Sequence, residues 1–268
     1  MSGTTNKSIG ALTVVVAAFG GAVLLASAAS AAVTGVQRIG PQSGQLTADA
    51  AGARAVDLEV DRADMRVEFG DVERIELRVE GAAATGWTLR RDGDQLEVRG
   101  PDRGFDWWSP DWLRGEERAT LVLPDELRGL DGDFSVQAGA LRVDGVFDEL
   151  EVGVDAGALT VDGSARDLVA ELNAGSADIA LSGVATAEYN VNAGRAVSTL
   201  SDAPDTVVFS VSAGDFDLTV PDRAYDVRRD VSAGSLDSRL DESASSSHRI
   251  SGSVSAGSAT LRAGDRAE

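Results

Sequence analysis

Apolar and polar residues alternate with a period of two along most of the chain, from about Arg54 onward. Such alternation is typical of β-strands that bury one face. In the second half of the chain it continues on both sides of a small-residue pair, as in Leu150 and Val154 before the pair and Leu159 and Val161 after it. The pattern predicts pairs of short strands joined at a tight corner, with the apolar side chains of both strands facing one core.

The small-residue pair belongs to a phrase that recurs seven times: an apolar residue, a polar residue, then Ala-Gly. Successive copies are 18, 18, 19, 20, 20 and 23 residues apart, a near-constant period typical of repeat architectures. The glycine suits a corner with positive φ or a close backbone approach, and the alanine suits a crowded inside corner. The polar residues would form an outward column whose Asn and Ser side chains hydrogen-bond along the repeats. The structural corner glycines are Gly139, Gly157, Gly175, Gly194, Gly214, Gly234 and Gly257.

These repeats predict an all-β fold, specifically a single-stranded β-solenoid of about seven short rungs whose stacking buries a continuous core. The preceding strands lack the phrase and are predicted to form an irregular β-rich cap, with a hairpin turn at Asp92-Gly93-Asp94. No helical periodicity follows the N-terminal segment, so few helices are expected. The predicted organisation is a linker at 37–53, the cap at 54–130, the repeats at 131–264 and a tail at 265–268.

The N-terminal segment, residues 1–36, carries no charge between Lys7 and Arg38 and is mostly apolar. It is long enough to form one hydrophobic helix across a bilayer, which predicts a membrane anchor. Small-residue sites at Ala26-Ser27-Ala28 and Ala29-Ser30-Ala31 are also compatible with cleavage of a signal peptide. The two interpretations predict either a single-pass membrane protein with its C-terminal domain outside the cell or a secreted protein.

The composition excludes several classes of function. A formal net charge of −20 is incompatible with clustered contacts to nucleic-acid phosphates. The absence of cysteine excludes disulfides, thiolate metal sites and cysteine nucleophiles. We therefore expect a protein that binds neither nucleic acid nor a cofactor and is held by its core and its backbone ladders.

Three tryptophans, Trp107, Trp108 and Trp112, lie in a segment whose Gly and Pro content predicts a loop. One interpretation is a hydrophobic plug over the open end of the core. The other is an aromatic contact surface for a protein partner, a glycan or the membrane interface, because indole rings supply large contact energies.

Other polar residues offer weaker candidates for chemistry. His248 lies in a Ser-rich segment and is interpreted as solvated, since no G-x-S-x-G motif accompanies it. Several aspartates near the second corner of successive repeats predict a solvated acidic edge, with calcium binding and glycosidase chemistry as alternatives. These aspartates are Asp144, Asp162, Asp202, Asp222 and Asp241. No catalytic residue, metal ligand or cofactor is predicted.

A strand ending in Leu121-Val122-Leu123-Pro124, followed by a turn and the serial Ala-Gly phrases, resembles the bacterial putative-adhesin family of β-strand-repeat domains of unknown function. The similarity covers roughly Arg54 to Gly264. It implies an envelope-associated β-solenoid, often preceded by a membrane segment, and brings no catalytic residues with it.

Together these observations predict a non-catalytic cell-envelope surface protein, an adhesin or scaffold module displayed outside the membrane. Its expected partners are the membrane, through the N-terminal helix, and an envelope protein or glycan. Two alternatives stay open: a polysaccharide-active β-helix enzyme and a purely structural or sensory spacer.

Overall fold

The computed structural model describes residues 37–38, 43–80, 86–101 and 117–264, and most of these residues lie in β-strands. Within these ranges the one helical element is a single-turn 3₁₀ helix at Asp125–Leu127, which is too short to cross a membrane. The predicted anchor or signal segment at 1–36 and the tail at 265–268 lie outside the described residues.

The described chain contains sixteen strands. The first eight are β1 Gln37–Arg38, β2 Ser43–Ala48, β3 Ala55–Gly70, β4 Ile75–Glu80, β5 Thr88–Asp92, β6 Gln95–Arg99, β7 Arg118–Pro124 and β8 Leu130–Ser164. The others are β9 Asp167–Leu172, β10 Gly175–Ser182, β11 Thr186–Leu200, β12 Thr206–Val220, β13 Ala224–Val231, β14 Ser235–Ser238, β15 Asp241–Glu242 and β16 Arg249–Ala263.

The alternation in sequence becomes alternation in burial. In β3, Val56, Leu58 and Val60 are at most 1% exposed, while the residues between them face outward. Strands on both sides of the Ala-Gly phrase contribute to one hydrophobic core, for example through Leu150 and Leu159. Each large apolar side chain buried in this way stabilises the fold by about 1.5–3 kcal/mol. The all-β prediction is confirmed.

Successive repeats pair in parallel and in register. Gly175 lies opposite Gly157 on one side and Gly194 on the other, and Gly194 lies opposite Gly214. The long strand β3 joins the same ladder on β8, where Ala63 takes the place of a corner glycine. At the N-terminal end the pairing becomes antiparallel from β7 to β4 and β2, and the predicted hairpin at Asp92-Gly93-Asp94 joins β5 to β6.

The prediction of a single-stranded β-solenoid of about seven short rungs, with an irregular N-terminal cap and a preceding hydrophobic helix, is wrong as a description of the architecture. The strands form a closed barrel together with a large sheet. They also run through the predicted corners, so that β8 is 35 residues long and contains two Ala-Gly phrases. A constant period in sequence specifies the register between neighbouring copies, but it does not specify how the ladder closes. The predicted helix falls on residues that the structure does not describe.

The last strand does not follow the chain order: β16 lies between β12 and the outer pair β13 and β14. At one core-facing position β12 carries Phe209, β16 carries Gly252 and β13 carries Arg229. A Cβ at Gly252 would overlap the Phe209 ring, so the missing side chain makes room for the ring. Arg229 in that place would bury an unpaired charge in the core, which is costly. The strand that carries Arg229 therefore lies on the outer side of β16.

Candidate interaction surface

An acidic face lies on the outward side of the strands that precede the Ala-Gly phrase. Glu97 on β6 is the register partner of Asp57 on β3, and Asp57 is the partner of Asp133 on β8. Glu151 lies one repeat further along β8 and is repelled by Asp133. Because paired strands are about 4.8 Å apart, the register brings Glu97, Asp57 and Asp133 into one row, and Glu151 extends the row beyond Asp133. We call Glu97, Asp57, Asp133 and Glu151 the acidic face.

One arginine neutralises only the first part of this row. The Arg99 guanidinium donates from Nε to Glu97 at 2.9 Å, contacts Asp57 from Nη2 at 3.4 Å and pairs with Glu59. Burial alone would lower the pKa of Arg99, but the hydrogen bond to Glu97 and the neighbouring carboxylates raise it instead. Arg99 therefore stays charged and holds the Glu97 and Asp57 end of the row.

Burial and mutual repulsion perturb the other carboxylates. Desolvation, followed by the charges of Asp57 and Glu59, raises the pKa of Asp133. Desolvation is also the first cause of the raised pKa of Asp57, and Arg99 offsets only part of it. The pKa of Glu151 is raised by desolvation and by four surrounding carboxylates, the largest effect among them coming from Asp133. The acidic face is thus a row of like charges held together by strand register.

The corner glycines form a column of their own, six residues along the strand from Asp133 and Glu151. Their φ angles run from +115° at Gly194 to +154° at Gly214, a region that other residues rarely adopt. At Gly157 and each later corner, a Cβ would overlap the backbone of another corner glycine, while at Gly139 it would meet the backbone of Ala63. The backbones therefore approach one another closely along this column. The neighbouring alanines, which the sequence predicts to be crowded, are solvent-exposed in most repeats.

The polar residue of the phrase forms the hydrogen-bonded column that the sequence predicts. Asn173 donates from Nδ2 to Asp155 Oδ1 at 2.7 Å, Asn192 donates to Asn173 Oδ1 at 2.5 Å, and Ser212 donates to Asn192 Oδ1 at 3.3 Å. Each side chain satisfies its neighbour one repeat away. The column is therefore structural.

The predicted acidic edge is not assembled as a unit. Asp144 lies opposite Glu68, whereas Asp162 lies opposite Ala180. Asp202 accepts a hydrogen bond from the Gly183 amide at 2.8 Å. Asp241 pairs with Ala224 at the far end of the sheet, away from these strands. Nowhere in 43–80, 86–101 or 117–264 do three acidic or histidine side chains come together in a way that could hold a metal ion.

His248 has a structural setting in the described chain. Its Nδ1–H donates to the Pro204 carbonyl oxygen at 2.8 Å, and its ring meets the Tyr225 ring edge-on at 5.9 Å between centroids. Its own carbonyl accepts from the Asp226 amide. The residue therefore holds the start of β16 against both neighbouring strands.

The aromatic candidates Trp107, Trp108 and Trp112 lie in 102–116, outside the described residues. The fourth tryptophan, Trp87, is 4% exposed and donates from Nε1 to Glu117 Oε1 at 2.7 Å, a buried contact between the two sides of that segment.

The acidic face was missed because its carboxylates are scattered through the sequence. A signal was nevertheless present: Asp133, Glu151 and Glu188 each lie five residues before the alanine of a phrase. Counting from the phrase places these three at equivalent outward positions on β8 and β11. Glu97 and Asp57 could not be found this way, because their strands carry no Ala-Gly phrase.

Comparisons with known proteins give likenesses of fold only. No protein-family model matches the chain, and no curated protein matches it in sequence. A putative cell adhesion protein from Clostridium sporogenes is 9% identical, with a TM-score of 0.39 over 84% of this chain and 100% of its own. A putative adhesin from Bacteroides fragilis is 11% identical, with a TM-score of 0.48 over 83% and 98%. A putative lipid binding protein from Parabacteroides distasonis is 12% identical, with a TM-score of 0.38 over 82% and 96%. The adhesin description recurs among these structures, as it does in the family that the sequence resembles.

Proposed function

We propose that this protein is a non-catalytic cell-envelope surface protein that binds a cationic partner through its acidic face. The observation that supports it is the register that aligns Glu97, Asp57 and Asp133 on three paired strands, with Glu151 near enough to Asp133 to be repelled by it. The expected partner is a basic segment of an envelope protein or a glycan that carries amino groups. Binding of this kind serves adhesion or envelope assembly and requires no chemical step.

The electrostatics of the row support a binding role. Aligned carboxylates repel one another, and Arg99 compensates only one end of the row. A cationic partner relieves this repulsion, so part of its binding energy comes from strain already present in the free protein. The overall charge of −20 also speeds the approach of a cation at low ionic strength.

The location outside the membrane is part of the same proposal. It is supported by the uncharged apolar segment between Lys7 and Arg38, which suits either an anchor or an export signal. In both cases the β-rich part of the chain is exported. The tryptophans 107, 108 and 112 are proposed as a further contact surface, for which residue type is the support.

A charge-matched pair of variants tests the acidic face. One variant carries Asp57→Asn, Glu97→Gln, Asp133→Asn and Glu151→Gln. The control removes four outward carboxylates from the strands after the phrase: Asp144→Asn, Asp162→Asn, Asp178→Asn and Asp237→Asn. The two variants have equal net charge, and circular dichroism with urea unfolding establishes that both are folded.

Binding is measured against isolated envelope fractions by sedimentation at low and high salt. We expect the acidic-face variant to lose about tenfold or more in affinity, while the control stays within about twofold of the wild type. Equal losses in both variants would mean that net charge and not the face governs binding, and would overturn the proposal. A third variant with Trp107, Trp108 and Trp112 changed to Ala reports separately on the aromatic segment.

A further inference from the structure

We propose that two copies of this protein pair through the open edge of β13, as antiparallel strands related by a two-fold axis at Arg229. The partner is therefore a second copy of the chain, bound side by side, with each copy keeping its own β16 in place. This inference concerns self-assembly and does not depend on the acidic face.

The outer side of β13 is an open edge of the sheet over most of its length. β13 pairs with β16 on its inner side. On its outer side, β15 pairs only with Ala224 and Tyr225. Within the part of the chain that the structure describes, no strand pairs with the outer side of the stretch 226–231. Such an edge offers its backbone groups to a strand from another molecule.

The hydrogen bonds of β13 show which backbone groups point outward. The Asp226 amide donates to the His248 carbonyl oxygen at 2.8 Å, on the β16 side. The Tyr225 carbonyl oxygen accepts instead from the Ser243 amide at 2.9 Å, on the outer side. Because this direction alternates along a strand, the odd-numbered residues turn their N–H and C=O groups to the open edge. In the stretch 226–231 these residues are Val227, Arg229 and Val231.

These groups select one register for a second copy. Hydrogen-bonded partners in an antiparallel pair exchange two bonds, so the outward-pointing residues of the two copies must face one another. Centring the pair on Arg229 sets Val227 of each copy opposite Val231 of the other, and all three residues become hydrogen-bonded. Centring it on Val227 would set Arg229 against Tyr225, whose carbonyl oxygen is already bonded. Centring it on Val231 would set Arg229 against Ala233, whose amide already donates to β16.

The side chains of the stretch are self-complementary in this register. On the outward face, Arg228 of each copy lies opposite Asp230 of the other, so two pairs of opposite charge form across the axis. On the core side, Val227 lies at the margin of the core, and Val231 is 40% exposed in the single chain. The two copies bring these valines together and cover the apolar margin. These matches favour a second copy of this chain over an unrelated strand.

Arg229 limits the strength of the pairing. The two copies of Arg229 face each other at the axis, and like charges in directly opposite positions are destabilising. Each is compensated by the ion pair with Glu242 of its own chain. The dimer is therefore reversible and depends on the charge pairs between Arg228 and Asp230.

Reversing the charges at positions 228 and 230 tests this register. Arg228→Asp leaves two acidic residues at these positions and Asp230→Arg leaves two basic ones, so neither variant forms opposite pairs with itself. A mixture of the two variants forms both pairs, and so does the double variant with itself. The matched controls are Arg142→Asp, Asp144→Arg and their double variant, at exposed outward positions on β8 with the same spacing and the same changes in charge.

Full-length chains are kept in detergent, urea unfolding establishes that each variant is folded, and native mass spectrometry counts the chains. One variant of each mixture is isotopically labelled. We expect a concentration-dependent dimer for the wild type and a loss of at least about tenfold in dimer affinity for each single edge variant, because like charges then face one another. The mixture and the double variant should return to within about threefold of the wild type, and the β8 controls should match it.

A wild type that stays monomeric at every concentration would overturn the proposal. So would single edge variants that dimerise as the wild type does, or a mixture that forms no mixed dimers. Should a charge reversal prevent folding, Arg228→Gln and Asp230→Asn remove the same pairs without adding repulsion. Dimers as strong as those of the wild type in both of these variants would also overturn it.

Discussion

The last two repeats contain the same five residues, Val-Ser-Ala-Gly-Ser, at 231–235 and at 254–258. In the structure one copy is inside the sheet and the other is at its edge. Val254 is 1% exposed, whereas Val231 is 40% exposed. Identical local sequence therefore leads to opposite environments, and the residues that decide between them lie outside the shared phrase.

The deciding position lies two residues before the shared valine. Gly252 leaves room for the Phe209 ring, whereas Arg229 at the equivalent position would bury an unpaired charge in the core. At the edge Arg229 remains solvated and pairs with Glu242. The comparison shows that one core-facing residue can determine the order of strands when the repeats are otherwise interchangeable.

The largest expected effect is that of Gly252→Val. Its side chain would overlap Phe209, so we expect a loss of about 3 kcal/mol in the free energy of unfolding. Gly153→Val is the matched control, since no atom lies within contact distance of a Cβ there. Urea unfolding of both variants measures the difference. A loss for Gly153→Val as large as that for Gly252→Val would contradict this account of the insertion.

The next effect compares the core contributions of the two repeats. Leu261 on β16 is fully buried, and Leu236 on β14 is only half-buried. We expect Leu261→Ala to cost about 3 kcal/mol and Leu236→Ala about 1 kcal/mol, because only the interior site leaves a closed cavity. Thermal and urea unfolding of the pair give the two values. Similar costs would mean that the edge repeat is as tightly packed as the inserted one.

A smaller, pH-dependent effect involves Asp226, which links the two repeats. Its carboxylate accepts from Arg228 on β13 at 3.0 Å and from Arg249 on β16 at 3.3 Å. The hydrogen bond from Arg228 is the largest cause of its lowered pKa. A lowered folded-state pKa contributes stability that is present above the ordinary value of 3.8 and is lost as the pH falls through the folded value. We expect Asp226→Asn to remove this contribution.

The acidic face is expected to change stability with pH in the opposite direction to Asp226. Desolvation, and then mutual repulsion, raise the pKa values of Asp133 and Glu151, so both costs are relieved as the pH falls toward the ordinary values of 3.8 and 4.5. Acidification should therefore first stabilise the wild type and then destabilise it. Melting temperatures of wild type and Asp226→Asn across this range should converge at the acid end. A constant gap at every pH would show that Asp226 does not titrate as proposed.

The smallest expected effect on stability is that of Arg229→Val. The substitution removes a surface ion pair with Glu242 that is worth about 0.5 kcal/mol. A valine side chain at this core-facing position can cover apolar side chains at the edge of the sheet. It also removes a charged side chain that hinders pairing of this edge strand with another chain, so self-association should increase. Analytical ultracentrifugation compares it with Arg228→Val, whose side chain faces outward on the same strand. Equal self-association in both would indicate a general effect of charge and not of the core-facing position.

The sequence was a good guide wherever neighbouring residues decide the outcome. Alternation identified the strands and their buried sides, Asp92-Gly93-Asp94 identified a hairpin, and the Asn and Ser of the phrase identified the hydrogen-bonded column. It was a poor guide to the acidic face, where Glu97 and Asp57 meet Asp133 only because distant strands pair. It was also wrong about the solenoid, because the same period is compatible with more than one way of closing the ladder.

By itself, the sequence determined which residues form strands, which side of each strand is buried, and the register of one phrase against another wherever two phrases pair. These properties depend on periods of two and of about twenty residues, and a chain carries such periods locally. The tertiary structure alone decided the place of β16, the identity of the edge and the alignment of the acidic face. Those depend on which side chains tolerate each other across strands, as Gly252 accommodates Phe209 and Arg229 would not.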